Sequence, residues 1–182
     1  MLIAAKTPIA LRTRADRWPA DVATSLDHRL LDVWLPAWRL DLLGIYSPVY
    51  DTEDQAKIHF WNYLHRRVRR RRPWSRLIIA GDVNGCPPAE AESGRGYSTH
   101  LLEPVTARMA DAWALRNPAP ADARDRYTWY SQRKGIRLDY VLVSPNLRPT
   151  VRAATHIHSV REQGVSDHSA VAVDLALLLS DN

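Results

Sequence analysis

Short apolar runs broken by proline open the chain, at 2–5 and 9–12 on either side of Pro8. Two longer runs of Leu, Val, Ile and Trp follow at 29–35 and 40–46, with 36–39 able to turn between them and Pro48 ending the second. These read as strands. The period then changes. Ala56, Phe60, Leu64 and Val68 recur every fourth residue with Trp61 beside them, which predicts an amphipathic helix. Thr52 and Gln55 have the spacing of a capping box, Asp51, Glu53 and Asp54 suit a helix start, and Pro73 ends the pattern. A compact strand at 76–80 runs into the turn Gly81-Asp82-Val83-Asn84-Gly85. A surface loop over 86–98, a short helix over 105–113 and a polar loop over 118–126 are expected next. The last strands are 138–143 and 170–177. The latter is nearly all aliphatic, and therefore expected in the centre of a sheet. Strands and helices mix in an α/β or α+β order without regular alternation, in one domain spanning 1–182.

Composition narrows the setting. At 182 residues and 46% hydrophobic content the chain can build one packed core. No apolar run approaches a membrane span, and the first ten residues do not form a secretory signal. Cys86 is the sole cysteine, so there is no internal disulfide and no thiolate cluster. The expectation is an intracellular protein, cytoplasmic or nuclear, with no membrane partner. The net charge is +5, carried by 22 arginines and only three lysines against 15 aspartates and five glutamates. A GC-rich genome produces such a skew, yet the guanidinium fork also suits phosphate. Arg66, Arg67 and Arg69 to Arg72 crowd the end of the predicted helix. Cations belong at a helix C-terminus, so a solvated helix end and a phosphate patch carrying Arg69 and Arg70 both stand as readings.

Three polar sites interrupt apolar strands. Asp82 and Asn84 alternate onto one side of the chain where a buried strand ends, so that they could position a water, a metal or a phosphate oxygen; a plain turn motif would use the same residues. Ser166-Asp167-His168 stands directly before the aliphatic strand at Ala170. Asp139 lies inside Arg137-Leu138-Asp139-Tyr140-Val141-Leu142-Val143, where an unpaired acid would be costly. His168 is its natural partner, since an imidazole needs a carboxylate to fix its ring.

Taken together, Leu77-Ile78-Ile79-Ala80-Gly81-Asp82-Val83-Asn84, Tyr127-Thr128-Trp129, the Asp139 strand with Ser144, and Ser166-Asp167-His168 resemble the endonuclease/exonuclease/phosphatase superfamily, in order and in spacing. Ile45-Tyr46-Ser47-Pro48 resembles the segment where its AP-endonuclease and exonuclease branch carries an active-site tyrosine. The resemblance, closest to exonuclease, AP-endonuclease and retroelement endonuclease members, runs over nearly the whole chain. It implies a two-sheet sandwich flanked by helices. Asp82 would orient or deprotonate the attacking water, and Asn84 would hold that water and the phosphate. His168, fixed by Asp139, would stabilise developing charge, and Tyr46 would face the phosphate. Asp167 would help bind magnesium, with manganese as an alternative. Tyr127 and Trp129 would lie where the family contacts DNA; as core aromatics they would look the same in sequence.

One departure is plain. The family's Asn and Glu motifs, the latter a main metal ligand, precede the part matched here, and none of the five glutamates stands ahead of the predicted helix. Thr7-Pro8-Ile9-Ala10-Leu11-Arg12 resembles sequence that follows the Glu motif, so the expected fold is incomplete at its N-terminal side. Expected function is then a metal-dependent phosphodiesterase, a DNA endonuclease or exonuclease impaired in this chain. The alternatives are a non-catalytic nucleic-acid-binding remnant and a phosphatase acting on lipid or inositol phosphates. Charge favours nucleic acid, DNA ahead of RNA; oligomeric state is not legible.

Overall fold

A computed structural model describes residues 2–12, 26–49, 55–119, 122–132 and 134–178. The capping box expected at 51–55 lies mostly outside them. Its framework is a mixed sheet of six strands: β1 (Ala10–Leu11), β2 (Leu30–Leu35), β3 (Leu40–Tyr46), β4 (Arg76–Asp82), β5 (Ala110–Asp111) and β8 (Asp139–Val143). Their spatial order is β1-β2-β3-β4-β8-β5. Among the described residues only β3 and β4 pair in parallel, because the helix α1 (Gln55–Arg69) carries the chain back between them.

Side-chain alternation along β4 decides which face goes where. Leu77 and Ile79 join Leu43, Ile45, Tyr140 and Leu142 in packing against Phe60, Trp61, Leu64 and Val68 of α1. Leu102 and Val105 of the short helix α2 (Thr99–Thr106) complete that layer. Ile78 points to the other face, with Val33, Leu35 and Val143, where it meets Trp113 of α3 (Ala112–Arg116) and Val151 and Ala154 of β9 (Val151–Ile157). β9 pairs antiparallel with β10 (Ala170–Leu175) in a two-stranded second sheet. A hairpin of β6 (Trp129–Ser131) and β7 (Lys134–Ile136) and one turn of helix, α4 (Ser159–Glu162), lie beside it. The sheet is thus covered by helices on one face and by the second sheet on the other, as expected of a two-sheet sandwich.

Several elements differ from the sequence reading. Residues 2–5 form no strand, and β1 is reduced to Ala10–Leu11. The helix expected over 105–113 is two helices, α2 ending at Thr106 and α3 starting at Ala112, with β5 between them. Asp111 accepts the N–H groups of Trp113 and Ala114 and so caps α3, a stronger start signal than the apolar run that suggested a single helix. β10 is not central. Among the described residues it pairs with β9 alone, and its aliphatic side chains are half-buried because the second sheet has only one covered side. β9 itself reads poorly in sequence: its buried positions are Val151, Ala154 and His156, with the exposed Arg152, Ala153 and Thr155 between.

Gly81 sets the approach of β3 to β4. Its φ is +135°, and a Cβ there would stand 2.0 Å from the carbonyl oxygen of Ile45. Only glycine allows the strand ends that carry Tyr46 and Asp82 to lie this close.

Candidate active site

The C-terminal ends of the parallel strands β3 and β4 bring Tyr46 and Asp82 into register, and Asp139, at the start of β8, lies opposite Asp82 from the other side. Opposed residues in an antiparallel pair have Cα atoms about 4.5–5.5 Å apart. Two carboxylates thereby share one strand end. His168 closes the group, its Nδ1–H donating to Asp139 Oδ2 at 2.7 Å. The pairing expected between Asp139 and His168 is present.

Asp82 is held by Asn84. The Asn84 backbone N–H donates to Asp82 Oδ1 at 2.7 Å and its side-chain amide to Oδ2 at 2.9 Å. Asn84 sits at φ +42°, a left-handed turn that asparagine tolerates. Its amide also donates to the Ser47 carbonyl at 2.9 Å, which uses both amide hydrogens. Asn84 therefore orients Asp82. The phosphate contact expected of it has no donor left, and only its amide oxygen remains to hold a water.

Below the turn lies a group the sequence reading missed. Lys57 of α1 is fully buried. Its ammonium donates to the Asn84 carbonyl at 2.8 Å, to Ser98 Oγ at 2.7 Å and to the Val49 carbonyl at 3.1 Å. Trp61 Nε1 donates to Ser47 Oγ, so α1 also fixes the end of β3. The signal was available: Lys57 precedes Phe60, Trp61 and Leu64 by three, four and seven residues, which places a lysine on the buried face of an amphipathic helix. Thr128, also fully buried, does similar work on the far side. Its Oγ1 accepts the N–H groups of Leu138 and Asp139, and its carbonyl accepts the N–H of Ser169, so it ties the Asp139 strand to the His168 segment.

The remaining candidates divide. Tyr46 is exposed at the strand end, with the Arg29 guanidinium 4.9 Å over its ring. Trp129 is half-buried with its ring 6.3 Å from that of His168, and forms a wall of the site. Tyr127 is buried, and Gly135 packs on its ring with no room for a Cβ; a core aromatic is the reading this burial supports, not a DNA contact. Asp167 is exposed beside His168. Arg69 and Arg70 lie elsewhere: twelve residues of helix separate Lys57 from Arg69, about 18 Å along the axis.

Electrostatics suit acid–base work. Burial pushes the Asp82 carboxyl up to about 6, against the lowering effect of the Asn84 N–H; the Asp139 charge raises it further, while His168 and Lys57 lower it. His168 is raised above the ordinary histidine value, first by its hydrogen bond to Asp139 and then, against burial, by the Asp139, Asp82 and Asp167 charges. An ionised Asp82 beside a protonated His168 therefore exists in a window that opens above about pH 6 and closes above the raised value of His168. Asp139→Asn should close that window from its upper side, because the neutral amide stabilises the imidazolium less. NMR titration of the His168 ring checks this: a downward shift is expected, and an unchanged midpoint would contradict the assignment of Asp139.

The donor set does not fit a metal by itself. Among the described residues no three His, Cys, Asp or Glu side chains cluster as a cation would need. Both Asp82 oxygens accept from Asn84, and Asp139 Oδ2 accepts from His168. That leaves the exposed Asp167 as the carboxylate without such a commitment.

Comparison with solved structures places the fold. The chain superposes on an AP endonuclease from Archaeoglobus fulgidus with a TM-score of 0.69 at 16% identity, over 94% of this chain and 71% of that one. A 3′ phosphatase from Neisseria, bound to a product DNA hairpin, gives 0.68 at 16% identity, over 92% and 70%. A 3′-5′ exonuclease from Neisseria meningitidis gives 0.66 at 17%, over 93% and 71%. No family model matches the sequence, and no curated protein matches it. The fold is thus of the endonuclease/exonuclease/phosphatase type, nuclease-like in architecture, and the chain spans about 70% of the length of these three neighbours.

Proposed function

We propose that this chain acts on the phosphodiester bonds of nucleic acid, DNA in preference to RNA, through Asp82 and His168. The observation that carries the reading is the pairing of two differently tuned groups at one strand end: a carboxyl raised to about 6 and an imidazole whose charged form is favoured by its hydrogen bond to Asp139. Asp82, oriented by Asn84, takes the proton of a water whose oxygen attacks phosphorus. As the bond to the leaving oxygen breaks, the free Nε2–H of His168 stabilises the charge that gathers on the phosphoryl oxygens. Tyr46 and Trp129 flank the phosphate. The neighbours' activities as an AP endonuclease and a 3′-5′ exonuclease support this class of substrate.

Magnesium- or manganese-dependent turnover needs a metal site that these residues do not assemble: Asp82 and Asp139 are committed to Asn84 and His168, which leaves Asp167 as the uncommitted carboxylate, and among the described residues no three ligands cluster. The 182-residue chain is therefore expected to cleave weakly, and the same observation favours nucleic-acid binding without efficient cleavage as the second reading. Incubation with plasmid and abasic-site DNA in magnesium or manganese tests both. Salt-dependent binding with slow cleavage is the expected result, and binding with no cleavage at all would leave the second reading in its place. Robust turnover, abolished by His168→Ala and by chelation, would show that the site is complete; absence of nucleic-acid binding would overturn the substrate class.

A further inference from the structure

The arginine run at the end of α1 divides into two sets. One set is structural: Arg67 pairs with Asp41 at 3.0 Å and Arg71 donates to the carbonyls of Arg72, Pro73 and Ser75. Arg66, Arg69 and Arg70 are different. They are exposed, they stand three and four residues apart on one helix face, and among the described residues their guanidinium groups make no ion pair or hydrogen bond. With Asn62 and His65 they line an open pocket of about 400 Å³ that contains no acidic residue. Just beyond the helix, Trp74 is 70% exposed, with the Arg72 guanidinium 5.7 Å from its ring. A helix-end role explains one or two cations, but not three aligned without partners, with an exposed tryptophan four residues further along the chain.

We infer that Arg66, Arg69, Arg70 and Trp74 form a second nucleic-acid-binding surface, separate from the cleft. The arginines take backbone phosphates and Trp74 stacks on a base of a single-stranded segment. Separation follows from the fold. Arg76, next to this surface, starts the same strand that ends at Asp82, six residues or about 20 Å away. The inference goes beyond the proposed hydrolytic reading and survives a failure of cleavage, since its readouts are binding alone.

Equilibrium binding of a fluorescent single-stranded oligonucleotide, measured over a salt series, tests it. Six proteins are compared: the unaltered chain, the R66Q/R69Q/R70Q variant and Trp74→Ala, each with and without His168→Ala, and each checked for folding by circular dichroism. The triple variant is expected to lose at least tenfold in affinity. It should also reduce the slope of log affinity against log salt by about 2, three single-strand phosphate contacts at about 0.7 each. Trp74→Ala should cost about fivefold for the oligonucleotide and nothing for heparin, a polyanion without bases. An unchanged affinity and slope in the triple variant would overturn the proposal. Equal losses for heparin and oligonucleotide in Trp74→Ala would replace nucleic acid with a general acidic partner. Disappearance of the arginine effect in the His168→Ala background would show one continuous site in place of two surfaces.

Discussion

Lys57→Met should destabilise the protein by about 3–5 kcal/mol and raise the Asp82 pKa above its value of about 6. The side chain is fully buried, and methionine fills nearly the same volume, so packing changes little. What changes is hydrogen bonding. The carbonyls of Asn84 and Val49 and the hydroxyl of Ser98 lose a charged donor, and each unsatisfied buried polar group costs about 1–3 kcal/mol. The consequence reaches the site because the Asn84 carbonyl belongs to the residue whose N–H and amide hold Asp82. With that anchor gone the turn loosens, the Asp82 carboxylate loses its best donors, and the nearby positive charge disappears as well. Both changes favour the protonated acid. The sign for stability follows: a carboxyl raised in the folded state but not in the unfolded one destabilises progressively as pH climbs from about 4 through its folded value. The variant's deficit should therefore widen towards neutral pH. Urea denaturation across that range, with NMR titration of Asp82, checks the two effects. Full stability with an unmoved Asp82 midpoint would remove Lys57 from the site.

Much of the site was legible because its signals are local. An acid in an apolar strand, a histidine before another strand and a glycine turn carrying Asp82 and Asn84 each conflict with the pattern around them, and such conflicts mark function. Asp139 and His168 are 29 residues apart, yet chemistry alone predicts their pairing. Lys57 and Thr128 were not legible in the same way. The place of Lys57 on the apolar face of α1 marked it as buried, but apart from Ser98 Oγ the hydrogen-bond partners of both residues are backbone carbonyls and N–H groups from other segments, and no residue type advertises those. Arg69 and Arg70 show the reverse case: the charge run was conspicuous, but its distance from Asp82 is set by the direction of α1 and β4. The β9–β10 sheet was half read for a third reason. Apolar content reports burial, and β10 is aliphatic without being central, because one face of a two-stranded sheet is enough to bury it in part.

Arg137→Met carries the other large effect, and it tests the scaffold behind the site. Arg137 is 2% exposed, two residues before Asp139. Its Nη2 lies 2.6 Å from Asp111 and its Nε 2.9 Å from Glu90, while its guanidinium sits 4.1 Å from the Tyr140 ring centre and 5.1 Å from that of Trp113. Burial works against the charged form and is outweighed by Tyr140, Asp111 and Glu90, so its pKa ends above the ordinary arginine value. One cation thus joins the loop carrying Glu90, the cap of α3 and the strand of Asp139. Methionine removes it and leaves two mostly buried carboxylates without their shared cation, Glu90 keeping, among the described residues, only Arg126 at 3.8 Å and Asp111 only the N–H groups of α3. Breaking a buried pair by removing one partner costs about 3–5 kcal/mol, and the lower end applies here because both acids keep some contact with water. A second variant separates this from simple loss of packing. Arg137→Met combined with Glu90→Gln and Asp111→Asn keeps the methionine but carries neither carboxylate, so it should recover much of the lost stability. Urea denaturation of the parent and both variants reads this directly. A triple variant no more stable than Arg137→Met alone would mean that Arg137 contributes its packing between two aromatic rings, and that the carboxylates are solvated well enough to tolerate its absence.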